Sequence, residues 1–474
     1  MYGTDYDEAT GYEEFRIELL SDTSQKSFKL RASLASGETV DFDYYPPVTS
    51  SEINKAFSGV ARANTQFALS VPRSTADEIR ALGERLYNSV WQSSVTDLYQ
   101  QCSAVARERG KNLRLRFVIN HPDLVALPWE FLFDPLRKDF LTLSTRTPLA
   151  RQWSWPTPLP DRPAFVEPPL RVLVVEAEVR PWDTGAQEEI ASLKKLDDHR
   201  RPVLELVNVV HNATPRSFLN ALEQHSYHAL HLCLSGATPD AIPVWGTGPG
   251  YPGTTALPES LVLMDDGSGT NRIPQSINLN ILLGAIGMRP ELQFIYLSGD
   301  CTDWLASQLT QVSPATIGWR GLNTSEAYLS FTKGFYSALI KGLPLESAVT
   351  HGRKAIDAEY PGGKEWGMPV FYMQTSDGIA ISQPKRALSD TGQGQDILLQ
   401  GAGNVSRGPS NPADQREWTK LRVQLSVAEE NYRALLDQLD KYVDEAVPAY
   451  LNSQMQELQN AISSLSAELE ELAK

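Results

Sequence analysis

Short apolar runs that alternate with amphipathic segments dominate the chain between residues 170 and 372. Residues 170–176 form a Val-rich run typical of a buried strand, and residues 203–210 and 229–234 form two more, with helical patterns between them. Strands that alternate with helices predict a parallel sheet covered by helices on both faces. In such a sheet the chemistry lies in the loops at the carboxyl ends of the strands.

The pattern and composition divide the chain into four predicted segments. Residues 1–160 mix strands and helices, and within them the periodicity of residues 74–109 predicts helix throughout. Residues 161–383 form the alternating core. Residues 384–414 are rich in Gly, Ser, Pro, Asn and Gln, which predicts a flexible linker. Residues 415–474 are predicted to form a helical hairpin or coiled coil.

Apolar residues three and four positions apart recur through this last segment and are interrupted at Pro448. The spacing predicts two helices, each with a heptad seam, that fold back on each other as an antiparallel hairpin. It leaves open whether the two seams cover each other or are offered to a second copy or a partner helix. The seam positions that would bind a partner are Trp418, Leu421, Leu425, Tyr432, Leu435, Leu439, Leu451, Met455, Leu458, Ile462, Leu465 and Leu469.

Charge and cysteine content restrict the partners and the compartment. The net charge is −15, without a basic stripe, so we expect neither nucleic acid nor an anionic membrane as a partner. No apolar run reaches the roughly 18–20 residues that span a bilayer. Cys102, Cys233 and Cys301 lack the CxxC spacing, which indicates a reducing cytoplasm without a disulfide framework or a metal site. There is no phosphate-loop or HExxH motif, so we expect no cofactor.

Glu130 lies in a strongly apolar run, between Trp129 and Phe131. We expect Trp129 in the core. A carboxylate among so many aromatic side chains needs a partner, because an unpaired buried charge is costly. Arg151 or Arg171 is the candidate.

Three stretches of the chain carry a family resemblance. They are residues 113–117 with the run Ala-Leu-Pro-Trp-Glu at 126–130 and Arg151; residues 227–236; and the stretch from Phe294 through Gly-Leu-Pro-Leu at 342–345 to Pro369 and Val370. Together they resemble the CHAT family of caspase-like cysteine proteases of clan CD, over roughly residues 15–380. The resemblance implies an α/β caspase-like domain with a parallel central sheet flanked by helices.

The resemblance also locates two catalytic positions. In the family a cysteine thiolate attacks a peptide carbonyl and a histidine handles the proton; the histidine ends one strand, before a glycine, and the cysteine ends the next. Here Ser235, followed by Gly236, holds the histidine position, and Asp300 holds the cysteine position. Serine cannot act as a base near neutral pH. Cys301 lies one residue too far along, and the upstream His231 is expected too far back to assist it.

The resemblance therefore implies a degenerate member, a pseudoprotease with no intact catalytic residue. The predicted function is an adaptor, scaffold or regulatory subunit of a bacterial-type defence or cell-death complex. Its partner would be a protein, such as an active protease or effector, and self-association through the C-terminal helices is also expected. One alternative is an active CHAT cysteine protease that uses Cys301. Another is a peptide or small-ligand sensor that uses the emptied cleft.

Overall fold

The strands and helices follow the predicted alternation. The computed structural model describes residues 11–22, 27–57, 76–119, 121–155, 159, 165–177, 185–196, 203–234, 260–264, 274–321, 323–375 and 380–381. The predicted linker and all of the C-terminal seam positions lie outside these residues.

The N-terminal half of the described chain contains seven strands and four helices. They are β1 (Tyr12–Asp22), β2 (Ser27–Leu34), β3 (Thr39–Tyr44), α1 (Ser50–Phe57), α2 (Ala76–Val90), α3 (Ser93–Glu108), β4 (Asn112–Ile119), α4 (Pro122–Val125), β5 (Phe133–Asp134), β6 (Asp139–Phe140) and β7 (Leu149–Trp153).

The second half repeats strand and helix. It contains β8 (Phe165–Val166), β9 (Leu170–Glu176), α5 (Gly185–Leu196), β10 (Leu204–Val210), α6 (Pro215–Gln224), β11 (Ala229–Cys233), β12 (Ser260–Met264), β13 (Pro274–Asn278), α7 (Leu279–Gly287), β14 (Phe294–Ser298), α8 (Asp303–Leu309), β15 (Ala315–Trp319), α9 (Ser325–Leu339), α10 (Leu345–Glu359), β16 (Pro369–Met373) and β17 (Ala380–Ile381).

Eleven of the described strands form one sheet in the order β10-β9-β11-β14-β15-β16-β7-β4-β1-β2-β3. The neighbours from β10 to β15 are parallel, β16 is antiparallel to β15, and β7, β4 and β1 continue in parallel from β16. The chain passes from β9 to β10 on one side and then to β11 on the other. Doubly wound sheets bind ligands in the crevice that such a reversal creates, which here falls between the carboxyl ends of β9 and β11.

Helices cover both faces of the central strands. Val172 and Val174 of β9 pack into one apolar core, which also contains side chains of α5, α9 and α10. Leu173 and Val175 pack into a second core, with side chains of α6, α7 and α8. Burial on both faces explains why these strands are continuous apolar runs. The predicted α/β architecture, a parallel central sheet flanked by helices, is confirmed.

The helix predicted over residues 74–109 is wrong in one respect, because the chain breaks it into α2 and α3. Gln92, between them, has an extended backbone (φ −73°, ψ 167°). The break allows Trp91 to stack on Tyr87, with ring centroids 4.6 Å apart, and to meet the edge of Tyr99 at 5.7 Å. The break is therefore associated with aromatic packing, which helical periodicity in the sequence does not predict. None of the described helices is long and apolar enough to cross a membrane.

Candidate functional site

The carboxyl ends of β11 and β14 lie side by side. The two strands are parallel, and Cys233 stands opposite Ser298. Asp300 follows Ser298 by two residues, so it lies at the predicted edge of the sheet. The other predicted position, Ser235, falls outside the described residues.

Asp300 is a buried hydrogen-bond acceptor, 5% exposed. Its Oδ1 accepts a bond from the backbone N–H of Asn323 at 2.8 Å and another from the hydroxyl of Tyr328 at 2.6 Å. Tyr328 lies in the first turns of α9 and packs its ring against Trp319 at 4.5 Å. The carboxylate thus ties the end of β14 to the start of α9 through two bonds to one of its oxygens.

The turn after β14 is tight. A Cβ at Gly299 would stand 2.5 Å from the carbonyl oxygen of Leu234, so the close approach of the two strand ends requires glycine there. Thr302 closes the turn, since its hydroxyl donates to the carbonyls of Leu297 and Gly299 at 3.2 and 3.0 Å. The same hydroxyl oxygen accepts the backbone N–H of Trp319 at 2.9 Å.

Cys301 occupies this turn with a left-handed backbone (φ 54°), and its N–H donates to the carbonyl of Gly321 at 3.0 Å. Burial, together with the charges of Asp300 and Asp303, raises the pKa of its thiol. A thiolate is the reactive form of cysteine, so such a thiol is a poor nucleophile near neutral pH.

The histidines considered from the sequence lie elsewhere. The ring of His231 is fully buried within β11, where Nε2 contacts Glu189 at 3.2 Å. His228 precedes β11 and therefore lies at the opposite edge of the sheet, against Arg171. Burial and the charge of Arg171 lower the pKa of His228 to about 4, so it is neutral at physiological pH.

Sequence reasoning missed a second pair at the carboxyl edge. His211 directly follows β10, and its Nδ1 lies 2.5 Å from Oε2 of Glu176, the last residue of β9. The carboxylate is 3% exposed and the imidazole 50% exposed. This pair borders the crevice between β9 and β11, since Cys233 stands opposite Glu176. The sequence did contain a signal for this pair: Glu176 ends the apolar run of residues 170–176, and His211 follows the run of residues 203–210.

A buried ionic cluster stabilises the loop between β4 and β7. Glu130 is fully buried and accepts two bonds from Arg151, at 2.8 and 2.5 Å, which confirms Arg151 as its partner rather than Arg171. Arg151 also donates to the carbonyls of Val125 and Leu127 at 2.7 and 3.0 Å. Arg151 of β7 therefore holds the Leu-Pro-Trp-Glu run through an ion pair with Glu130 and through hydrogen bonds to two backbone carbonyls.

Two further arginines of this cluster were not foreseen. Nη1 of Arg320, the residue after β15, lies 3.8 Å from Glu130, and Arg353 on α10 is fully buried. Burial opposes ionisation of Glu130, but the charges of Arg151, Arg320 and Arg353 outweigh it and lower its pKa. Nε of Arg320 also lies 3.8 Å from Oδ2 of Asp303, so two carboxylates, those of Glu130 and Asp303, face these buried arginines.

Comparisons with known proteins give structural likenesses alone. No family model matches the chain, and no curated protein matches it. Among solved structures it is similar to the separase–securin complex of Saccharomyces cerevisiae, at 10% identity over 79% of this chain and 30% of the other, with a TM-score of 0.42. A second crystal structure of that complex gives 9% identity, 78% and 30% coverage, and a TM-score of 0.41. The chain thus spans about a third of the length of the chains that it matches.

Proposed function

We propose that this chain is a caspase-like pseudoprotease of CHAT type that acts as an adaptor, scaffold or regulatory subunit of a bacterial-type defence or cell-death complex. The observation that carries the proposal is the environment of Asp300. Its carboxylate is buried and accepts hydrogen bonds from Asn323 and Tyr328, so the position corresponding to the nucleophile stabilises the fold. A group used in this way is not available to attack a peptide carbonyl.

The environment of Cys301 supports the same proposal. Its thiol stands among carboxylates, Asp300 and Asp303, where a cysteine protease needs a cation or a histidine to stabilise the thiolate. The alternative of an active protease that uses Cys301 is favoured by the left-handed backbone of this residue, because such conformations cluster at active sites. His231 cannot serve as the base for Cys301, because it is bonded to Glu189 in the core.

The C-terminal seams are the proposed docking element for a protein partner. Deleting residues 414–474 is expected to abolish partner binding or self-association, because the deletion removes every apolar seam position. Light scattering of the purified full-length and truncated chains measures self-association, and co-purification with a neighbouring-gene product measures partner binding.

A matched pair of point variants tests whether the effect of the deletion comes from the seam residues or from the rest of the segment. Leu435→Lys replaces a seam residue and should act like the deletion, whereas Lys420→Ala lies off the seam and should not. An unchanged mass together with unchanged binding in the truncated chain contradicts this part of the proposal.

A second candidate function is ligand sensing at the crevice between β9 and β11. The observation that favours it is the half-exposed imidazole of His211, which the buried carboxylate of Glu176 holds in place. An oriented imidazole in such a crevice can bind a peptide or a small polar ligand. A ligand-induced rise in Tm that disappears in His211→Gln and persists in His225→Gln would favour sensing.

A further inference from the structure

Three different side chains that commonly bind metals meet inside the first core, between α5 and β11. They are Glu189, His231 and Cys233, and one ligating atom from each lies within 4.8 Å of the other two. His231 and Cys233 are two residues apart on one strand, so both point to the face that α5 covers. All three side chains are buried.

The distances suit a small metal ion. Zinc binds imidazole nitrogen, carboxylate oxygen and thiolate sulfur at about 2.0–2.3 Å, which in a tetrahedral site separates ligand atoms by about 3.3–3.6 Å. Nε2 of His231 lies 3.2 Å from Oε2 of Glu189. Sγ of Cys233 lies within 4.8 Å of the ligating atoms of the other two residues.

Charge balance points to a cation. Glu189 and Glu176 are both buried, at 2% exposed each, and neither pairs with an arginine or lysine in the part of the chain that the structure describes. A divalent ion bound by Glu189 and a Cys233 thiolate would form a neutral unit, which avoids the cost of an unpaired buried charge.

Tyr336 supplies an independent observation. It is fully buried on α9, and its hydroxyl has no hydrogen-bond partner among the described residues. Its ring lies parallel to that of His231, with centroids 5.7 Å apart. The ring stack therefore puts an unpartnered buried phenol next to His231, in the same core as Cys233.

The polar groups around Glu189 have the form of an outer coordination shell. Ser298 donates to Oε1 and Thr332 donates to Oε2, each at 2.7 Å. Such bonds orient a metal-binding carboxylate. Oε1 accepts only the Ser298 bond within the described structure, so it retains a free lone pair.

We propose that Glu189, His231 and Cys233 bind a structural zinc ion that fastens α5 to β11. On binding, the Cys233 thiol releases its proton to solvent, and a neutral His231 that binds through Nε2 carries its proton on Nδ1. The proposal is independent of the adaptor function. It departs from the expectation of no metal site, because the fold assembles the ligands from residues 42 positions apart.

Zinc content of the full-length chain, refolded with zinc chloride and dialysed, tests the proposal directly. We expect about one zinc per chain, and in the cobalt-substituted protein a thiolate-to-cobalt absorption band. Cys233→Ser and Glu189→Gln should lose the metal and the band. Cys102→Ser is the matched control, since this cysteine is buried away from the cluster in α3 and should leave both unchanged.

The wild-type chain decides the outcome if a variant fails to fold. A bound ion stabilises the folded state by mass action, so a strong chelator should lower Tm, and added zinc should restore it. Zinc far below one per chain with no cobalt–thiolate band overturns the proposal. So does metal content that survives in Cys233→Ser.

Discussion

The carboxylate of Asp300 joins the end of β14 to the start of α9. It is buried and accepts two hydrogen bonds, from the backbone N–H of Asn323 and from the hydroxyl of Tyr328. The apolar pattern of the sequence locates the strand end before Asp300. It cannot identify the donors, because Asn323 and Tyr328 follow 23 and 28 residues later and reach Asp300 only in the folded chain.

The bond between Asp300 and Tyr328 is expected to stabilise the fold measurably. Tyr328→Phe and Asp300→Ala should each lower the free energy of unfolding by about 1–3 kcal/mol, because the first removes a donor to the buried carboxylate and the second removes the acceptor of the Tyr328 hydroxyl and the Asn323 N–H. In a double-mutant cycle followed by urea unfolding, the two changes should couple by about 0.5–3 kcal/mol. Strictly additive losses would show that the two side chains do not interact.

Cys301 should behave as a protonated thiol. Because its pKa is raised, the thiolate fraction and the alkylation rate of the native protein should rise about tenfold per pH unit from pH 7 to 9, without a plateau. Iodoacetamide labelling with site mapping by mass spectrometry measures this rate, and Cys301→Ala identifies the signal. A plateau near pH 7 would reveal an activated thiolate.

The sequence predicts the strands and helices correctly where the local apolar pattern and the tertiary packing favour the same structure. The apolar runs became β9, β10 and β11 nearly residue for residue. For β9 and β11, burial on both faces demands the continuous apolar sequence that the pattern detects, whereas β10 lies at the edge of the sheet and is only partly buried. The split between α2 and α3 escaped prediction, because the packing of Trp91 on Tyr87 and Tyr99 is not a periodic signal.

The junction between β7 and the loop before it depends on Glu130. Glu130→Gln should lower the free energy of unfolding by about 3–5 kcal/mol, because it leaves Arg151 buried without its counter-charge. Glu52→Gln is the matched control. Glu52 also pairs with an arginine, Arg85 at 2.8 Å, but on the surface, so its loss should cost only about 0–1 kcal/mol.

Glu130 should also make the free energy of unfolding depend on pH. The pKa of Glu130 is lowered in the folded protein, so its contribution is complete above the unfolded value of about 4.3 and disappears as the pH falls through the lower folded value. The free energy of unfolding should therefore fall below about pH 4. Urea titrations should show a shallower fall in Glu130→Gln; identical slopes in the two proteins would contradict this assignment.

At the scale of the whole molecule, one sheet runs from β10 to β3 through both predicted α/β segments. β16, from the later segment, lies between β15 and β7, so the strands of the earlier segment extend the same sheet. The predicted boundary near residue 160 therefore falls between strands of one sheet. In the function that we propose, this sheet supports the binding of a partner protein, and the chain does not hydrolyse peptides.

Proteolysis tests that claim most directly. The purified full-length chain is incubated with an unbiased peptide library and with a cell lysate, with and without candidate partners, beside Cys301→Ala and Asp300→Ala. We predict no cleavage by the wild-type chain above that of the variants. Cleavage that disappears only in Cys301→Ala would contradict the account, because the chain would then be an enzyme whose nucleophile lies one residue beyond the expected position.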